Sequence, residues 1–278
     1  YPKKRDGIFK RTLFIAPETA AIISSSVGDQ VSAAANVLYR DREAVASYAE
    51  EFLQYLRLCR PLMRIFTVRE REECFATLAE FERGQADALI KTESLSLLTM
   101  PEHLMKQMLK RAGIDKRDGT SVHHMRYQCF LENLQSKRFT ELISLPDVEA
   151  VRSGSVKVST SDILGGGAVY YTSEEFVTHL EHVLALLESY ENYHICLIDK
   201  PAEDRYMAYV KEDLGVIVAK TSQPPVVLAI NEGNLTAAFW DFLKNMVDEK
   251  AYAALDKAKA ITNLQAYLVK LKVHCNEQ

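Results

Sequence analysis

Residues 37–66 read VLYRDREAVASYAEEFLQYLRLCRPLMRIF, and residues 169–198 read VYYTSEEFVTHLEHVLALLESYENYHICLI. An ungapped shift of 132 residues, from 37 to 169, superposes the two stretches with 4 identical residues in 30. The identities are Val37, Tyr39, Glu43 and Val45, which fall on Val169, Tyr171, Glu175 and Val177. The apolar pattern matches further, because Phe52 and Tyr55 fall on Leu184 and Leu187. We interpret the two stretches as copies of one unit.

Each copy has the pattern of an amphipathic helix followed by a short strand. Apolar residues recur at three- and four-residue steps, and in the first copy Pro61 ends the helix before a strand at 62–67. A weaker echo relates residues 91–102 to 220–233 across a short gap. This duplication predicts an α/β (α+β) fold of two pseudo-symmetric lobes, with mixed sheets flanked by helices and an added C-terminal helix. The crevice between two such lobes is a usual place for a ligand.

The predicted segments are a first lobe at 1–112, a connector at 113–166, a second lobe at 167–247 and a C-terminal helix at 248–278. Gly165, Gly166 and Gly167 mark one boundary. We interpret them as a hinge, because the spacing of a phosphate-binding loop, Gly-x-x-x-x-Gly-Lys, is absent from the chain. The apolar stripe of the last helix must be buried, either on the second lobe or against a second copy of the chain.

Other elements follow from periodicity and from helix-breaking residues. Helices are predicted near 70–83, 101–112 and 119–137, with a short one after Pro146 and longer ones after Thr172 and Asn231. Strands are predicted at Thr12–Ala16, Phe139–Leu145, Tyr193–Ile198, Tyr206–Lys211, Leu214–Lys220 and Val226–Ile230, with one or two more inside 86–99. Residues 17–32 are rich in small side chains, and their pattern fits either a helix or a turn-rich segment.

Composition excludes several classes of protein. With 278 residues and 47% hydrophobic content, the chain is long enough for sizeable cores. Its net charge of -4 disfavours nucleic-acid binding by the chain itself. It has no apolar run of about 18 residues and no signal-peptide pattern, so no membrane partner is expected. The five irregularly spaced cysteines suggest reduced thiols and a cytoplasmic location.

The stretch from Tyr206 to Leu243 resembles the half-unit of phospholipase D-like proteins. It has three strands with short turns, then Asn231-Glu232-Gly233-Asn234 and a helix. That family places a His-x-Lys-x-x-x-x-Asp strand from each half in a shared site. Here the matching strand reads Met207-Ala208-Tyr209-Val210-Lys211, and none of the seven histidines has Lys two residues on. The resemblance therefore implies a phospholipase D-like fold that has lost its nucleophile, with no phosphodiesterase chemistry.

Other stretches look like the C-terminal regions of helix-turn-helix transcription regulators of Firmicutes. They are Arg60–Thr67, Ser96–Pro101, Arg138–Thr140 and Asn231–Phe242. This second resemblance covers most of the chain. It implies that the chain is an effector-binding or dimerisation region whose DNA-binding domain lies upstream of Tyr1. Some sugar-sensing regulators use a catalytically inactive phospholipase D-like fold in a similar way, so the two resemblances agree.

The predicted ligand site lies where the strand ends of the two units converge. Its residues are Arg60, Arg64, Tyr193, His194, Lys211, Asn231 and Glu232. Arginine forks bind carboxylate or phosphate, so a small anionic effector is expected. We interpret Glu232, and likewise Glu102, as residues at helix N-termini rather than as an acid–base pair. The one tryptophan, Trp240, is expected to pack in a core.

The seven histidines give no clear metal site. His123 and His124 are adjacent, so on a helix they point about 100° apart and seldom bind one ion together. His179 and His182 have a spacing that can share a metal, but Ser47 and Glu50 occupy the matching places in the first copy, which suggests a solvated face. No metal and no cofactor are therefore expected.

The leading hypothesis is a non-enzymatic ligand-sensing and oligomerisation region of a bacterial transcription regulator. A homodimer is expected, and DNA would be contacted only through a domain outside this chain. One alternative is a hydrolase or transferase that uses Glu102, Glu232 and His194. Another is a protein-interaction scaffold that associates through residues 248–273.

Overall fold

The computed structural model describes residues 9–27, 34–59, 61–113, 116–161, 167–198, 205–246 and 257–273. The chain forms two compact units, Tyr1–Pro61 and Leu62–Gln278. The described residues contain ten strands and eight helices longer than one turn. Both units combine sheet with helix, and helices flank the larger sheet, so the predicted mixed α/β class is confirmed.

The described part of the first unit is a three-stranded antiparallel sheet with one helix. Its strands are β1 (Phe9–Ala16), β2 (Ala20–Val27) and β3 (Ala35–Tyr39), in the order β1-β2-β3. Helix α1 (Arg42–Leu58) begins at Asp41, whose side chain accepts a hydrogen bond from Ala44 N at 3.0 Å.

The region 17–32 differs from the sequence expectation, which was a helix or a turn-rich segment. Residues 20–27 form β2, and a tight turn at Glu18, with φ 62°, joins it to β1. The reason is pairing: Ala21 and Ile23 bury their side chains on one face while every residue of β2 pairs with β1. Residues 28–32 lie outside the described residues.

The second unit is built on one seven-stranded mixed sheet. Its strands are β4 (Met63–Phe66), β5 (Ala88–Thr92), β6 (Phe139–Ile143), β7 (Tyr193–Leu197), β8 (Tyr206–Lys211), β9 (Gly215–Lys220) and β10 (Val226–Ile230). Their order is β4-β10-β9-β8-β5-β6-β7. Strands β5, β6 and β7 are parallel, whereas β8, β9, β10 and β4 pair antiparallel.

Helices cover both faces of this sheet. They are α2 (Arg71–Arg83), α3 (Glu102–Arg111), α4 (Lys116–Leu134), α5 (Val148–Arg152), α6 (Ser173–Ser189), α7 (Gly233–Asn245) and α8 (Lys257–Lys272). The larger core lies between one face and α2, α3, α4, α6 and α8. The smaller core lies on the other face under α7, where Leu243 is buried and Trp240 packs against it, as expected for that residue.

Helix α8 packs within the second unit. Leu264 and Leu271 are both 0% exposed, and Tyr267 Oη donates to Pro146 O at 2.5 Å. Of the two places predicted for the apolar stripe, the described part of the helix therefore takes the intramolecular one. Residues 248–256 lie outside the described residues.

The seven-stranded sheet combines strands from three of the four predicted segments. Strands β4 and β5 come from the segment 1–112, β6 from 113–166, and β7 to β10 from 167–247. All of them lie side by side in one hydrogen-bond ladder. The helix-then-strand order of the repeat is present in both copies, as α1 with β4 and as α6 with β7. The four-segment division stays a prediction.

Among the residues described, we find no helix with the length and apolar character needed to cross a membrane.

Candidate functional site

The loop that follows β5 lies inside the core. Residues 94–100 are at most 5% exposed, although loops normally stay at the surface, where water can satisfy their backbone. Here hydroxyl groups of the loop itself replace water. Thr92 Oγ1 donates to Ser94 O at 2.5 Å, and Thr99 Oγ1 donates to Ser96 O at 3.0 Å. Ser96 Oγ also accepts from Leu98 N at 3.2 Å, so side-chain hydroxyls at both ends and in the middle of the loop satisfy part of its backbone.

Two buried histidines also hold this loop. His123 Nε2 lies 3.2 Å from Leu97 O, and His179 Nε2 lies 3.2 Å from Thr99 Oγ1. His179 Nδ1 lies 2.9 Å from Tyr171 Oη. Burial lowers the pKa of His123 to about 4 and that of His179 to about 3. Both rings are therefore neutral at neutral pH and act as hydrogen-bonding groups of the core.

The expectation of a solvated His179–His182 face was wrong. His179 is 0% exposed, because it lies between Thr99 of the buried loop and Tyr171. His182 is half-buried, with Nε2 2.9 Å from Tyr127 Oη. The matching residues of α1 are exposed, so the two copies of the repeat differ here.

His123 points inward, whereas His124 is exposed and pairs with Glu102 at 3.2 Å. Within the described ranges, no three His, Cys, Asp or Glu side chains are grouped to hold a metal ion.

A cavity of about 30 Å³ lies against the buried loop at the carboxyl end of β5. We call it the β5-end cavity. Its wall is mainly apolar, with several hydroxyl groups. The lining residues are Phe75, Leu78, Ile90, Thr92, Ser96, Leu97, Leu98, Arg126, Ser159, Thr160, Met207, Tyr209, Ile217, Ala219 and Val227. An apolar wall with a few polar groups at the end of parallel strands is a common setting for a ligand.

One side of this wall is strained and incompletely hydrogen-bonded. Ser159 is 2% exposed, and its Oγ has no hydrogen-bond partner among the described residues. Thr160 has φ 58°, a left-handed conformation that is unfavourable for a β-branched residue. A buried hydroxyl without a partner is costly. A molecule in the cavity that accepts or donates one hydrogen bond would remove that cost.

Arg126 is the one charged residue of the wall, and its charge is already paired. Its Nε and Nη2 donate to Glu82 Oε1 at 2.8 and 2.7 Å, and Glu82 is 2% exposed. The pair joins α2 to α4 beneath the sheet. The wall therefore has no unbalanced positive charge to attract an anion.

The strand that matches the family's catalytic strand borders the cavity. Met207 and Tyr209 alternate along β8 and face it. Lys211 lies on the same face at the other end of the strand. Its Nζ donates to the carbonyl oxygens of Glu82 at 2.9 Å and Gly84 at 2.6 Å, and burial lowers its pKa to about 8. Lys211 therefore tethers the segment after α2.

The structure does not bring the sequence-predicted site residues together. Arg64 lies exposed on β4, with Nη1 3.5 Å from Thr77 Oγ1, and Asn231 N donates to Leu62 O at 2.7 Å at the same edge. Tyr193 and His194 lie on β7 at the opposite edge, six strand spacings or roughly 29 Å away. The prediction that these strand ends converge was wrong, because β4 and β7, which come from the two copies, form opposite edges of one sheet. Arg60 lies outside the described residues.

Two residues of the predicted site, Tyr193 and His194, are buried or half-buried on β7. Tyr193 is 0% exposed, and its hydroxyl lies beside the buried carboxyl of Glu141 on β6. Burial raises the pKa of Glu141 to about 8, against the opposing effect of the Tyr193 hydroxyl. His194 is half-buried, and burial lowers its pKa to about 4. At neutral pH, Glu141 and His194 are therefore uncharged.

The alternative acid–base set is not assembled either. Glu232 caps α7, since its carboxylate accepts from Asn234 N at 3.2 Å and from Leu235 N at 2.7 Å, which confirms the capping interpretation. Glu102 is the first residue of α3 and binds Lys106 at 2.5 Å. Helices α3 and α7 lie on opposite faces of the sheet.

Strand β8 was predicted from the sequence, whereas the cavity beside it was not. Its hydroxyl residues Ser96, Ser159 and Thr160 come from two distant segments of the chain. Their proximity follows from the order of strands, which one sequence does not reveal.

No protein-family model matches the chain, and no curated protein matches it. Solved structures do match it. One is TrmBL2, an archaeal chromatin protein whose structure shows a novel mode of DNA binding. It is 8% identical over 73% of this chain and 60% of that chain, with a TM-score of 0.35. This chain thus spans less than two thirds of the TrmBL2 chain. The other is NucT from Helicobacter pylori, which is 10% identical over 66% of this chain and 94% of that chain, with a TM-score of 0.36.

Proposed function

We propose that this chain is a non-enzymatic ligand-sensing and oligomerisation region of a bacterial transcription regulator. In this proposal DNA is contacted by a separate domain, as the sequence resemblance to helix-turn-helix regulators implies. A ligand would favour one arrangement of the region, and the DNA-binding domain would respond to that arrangement.

The observation that carries the proposal is the environment of β8. Where the resembled family has its His-x-Lys strand, Met207 and Tyr209 face the β5-end cavity. A thioether and a buried phenol supply neither a nucleophile nor a phosphate-binding cation. Burial raises the pKa of Tyr209 well above its ordinary value, so its hydroxyl stays protonated. The cavity is thus suited to holding a molecule and unsuited to phosphodiester cleavage.

We further propose that the wall at Ser159–Thr160 moves when a ligand binds. A cavity of about 30 Å³ holds roughly two water molecules, so a metabolite enters only if the wall opens. The strained φ of Thr160 and the unpaired hydroxyl of Ser159 both destabilise this segment, which is why we place the opening there. The exposed guanidinium of Arg64 remains a separate predicted site for an anion.

A thermal-shift and calorimetric survey with anionic metabolites, nucleotides and neutral small molecules tests this proposal. We expect at least one compound to raise the melting temperature. Ser159→Ala should reduce that shift, whereas Ser153→Ala, at an exposed serine on the same segment, should leave it unchanged.

Arg64→Ala separates the two candidate places for the ligand. Loss of the shift in Arg64→Ala alone would move the site to the exposed edge of β4. The sensing half of the proposal fails if no compound shifts the wild-type protein. The non-enzymatic half fails if the purified wild type hydrolyses a phosphodiester.

A further inference from the structure

Helix α1 has an apolar stripe, and other residues cover only the first half of it. Val45, Tyr48 and Ala49 are buried or half-buried where the helix contacts β1 and β2. The stripe continues along the same side at Phe52, Tyr55 and Leu56, because these residues follow at steps of three and four. Each of these three is about half exposed, and residues 51–58 contain no buried residue.

The matching stripe in the second copy of the repeat is fully covered. Leu180, Leu184 and Leu187 of α6 occupy the places of Tyr48, Phe52 and Tyr55, and they are at most 7% exposed within the larger core. The pattern itself is therefore one that proteins bury. What differs is that none of residues 51–58 of α1 is buried, although Arg11 of β1 pairs with Glu51 beside the stripe.

We propose that α1 is the surface through which two copies of this chain associate, with the stripe of one copy packed on the same stripe of the other. This inference rests on the oligomerisation half of the proposed function and identifies the surface for it. Identical patches that meet about a two-fold axis form a closed dimer.

The chemistry of the stripe fits a second copy. From Val45 to Cys59 its residues are Val, Tyr, Ala, Phe, Tyr, Leu and Cys, so pairing two copies buries no charged residue of the stripe. Leu53 flanks it and is 45% exposed, whereas Leu58 lies on the side of Ser47. With 150–250 Å² for each large aromatic side chain, the exposed parts of Phe52, Leu53, Tyr55 and Leu56 amount to roughly 350 Å² per copy. A dimer would bury roughly 700 Å² in total, which is the size of a weak, concentration-dependent association.

Sedimentation or light scattering of the full chain tests the surface. Across about 1 to 100 µM, we expect the mean mass of the wild type to rise with concentration from 31.5 kDa towards twice that value. Leu56→Glu places a charge in the middle of the stripe, so its dissociation constant should rise at least about 100-fold. Ser47→Glu adds the same charge on the opposite, exposed side of α1 and should leave the dimer intact.

The outcomes separate this inference from the proposed function. A folded Leu56→Glu variant that remains a dimer overturns the surface but leaves oligomerisation standing. A wild type that stays monomeric throughout the range overturns both, whereas the sensing half is judged by the ligand survey. If circular dichroism shows that Leu56→Glu loses helix, Phe52→Ala decides instead: a rise of at least about tenfold in the dissociation constant supports the surface, and no change overturns it.

Discussion

At the scale of single residues, the second unit keeps a carboxylic acid uncharged within its sheet. Glu141 is 0% exposed, and burial raises its pKa from 4.5 to about 8. Between these values the folded protein holds a proton that the unfolded chain releases. The contribution of Glu141 to stability is therefore greatest below pH 4.5 and falls as the pH rises towards 8.

Glu141→Gln should remove this pH dependence, because an amide of the same shape does not titrate. Relative to the variant, the wild type should lose up to about 1.4 kcal/mol of unfolding free energy per pH unit between pH 5 and 8. Urea unfolding of both proteins at each pH measures the difference. If the unfolding free energies of the wild type and the variant change equally with pH, Glu141 is ionised in the folded protein.

Ser159→Ala removes the hydroxyl that has no partner. In the absence of ligand we expect its unfolding free energy to equal that of the wild type or to exceed it by about 1 kcal/mol, because a buried unsatisfied group is lost. Chemical denaturation measures this. A clear loss of stability in Ser159→Ala would mean that the hydroxyl already has a partner, and the wall would then not be a weak point.

At the scale of elements, Glu232 is the N-terminal cap of α7. Glu232→Ala should lower the unfolding free energy by about 1 kcal/mol, since Asn234 N and Leu235 N lose their acceptor. Glu232→Asp, which keeps a capping carboxylate, should restore most of the loss. An alanine variant of unchanged stability that lost a measured activity would instead revive the acid–base alternative.

Helix α8 provides a second test at this scale. Leu264→Ala should cost 2–5 kcal/mol in unfolding free energy, because Leu264 is fully buried in the larger core. Val269→Ala on the same helix should cost less than about 0.5 kcal/mol, since Val269 is 58% exposed. The mass in solution should not change in either variant. A fall in mass with Leu264→Ala would favour the scaffold alternative, in which this helix joins two chains.

Local elements were predictable from the sequence, whereas their assembly was not. The periodic stretches of α2 and α6 and the three strands after Tyr206 gave bounds close to those observed, because local apolar patterns fix helix and strand. Strand β2 was missed because its small residues lack a strong alternation. The predicted site residues do not converge because the repeat suggested two facing lobes, whereas β4 and β7 are opposite edges of one sheet.

At the scale of the whole molecule, buried neutral histidines govern the response to acid. Burial lowers the pKa of His123, His179 and His194 from 6.5 to about 4, 3 and 4. Between pH 6.5 and 4 the unfolded chain therefore binds protons that the folded chain does not. Their contribution to stability is complete above pH 6.5 and is lost as the pH falls.

We expect the wild type to become less stable from pH 6.5 to 4.5, because three histidines outweigh the opposite effect of Glu141. His179→Gln should flatten this decline, and His124→Gln, at an exposed histidine, should not. Denaturant titrations over this range measure both. An equally steep decline in His179→Gln would show that other groups bind the protons.

The sealed loop at 94–100 has a consequence for how the molecule exchanges hydrogen with its solvent. Its amides have no route to deuterium except through an opening of the surrounding core. They should therefore retain their protons as long as the amides of β5. This connecting segment would then be among the slowest parts of the chain to exchange.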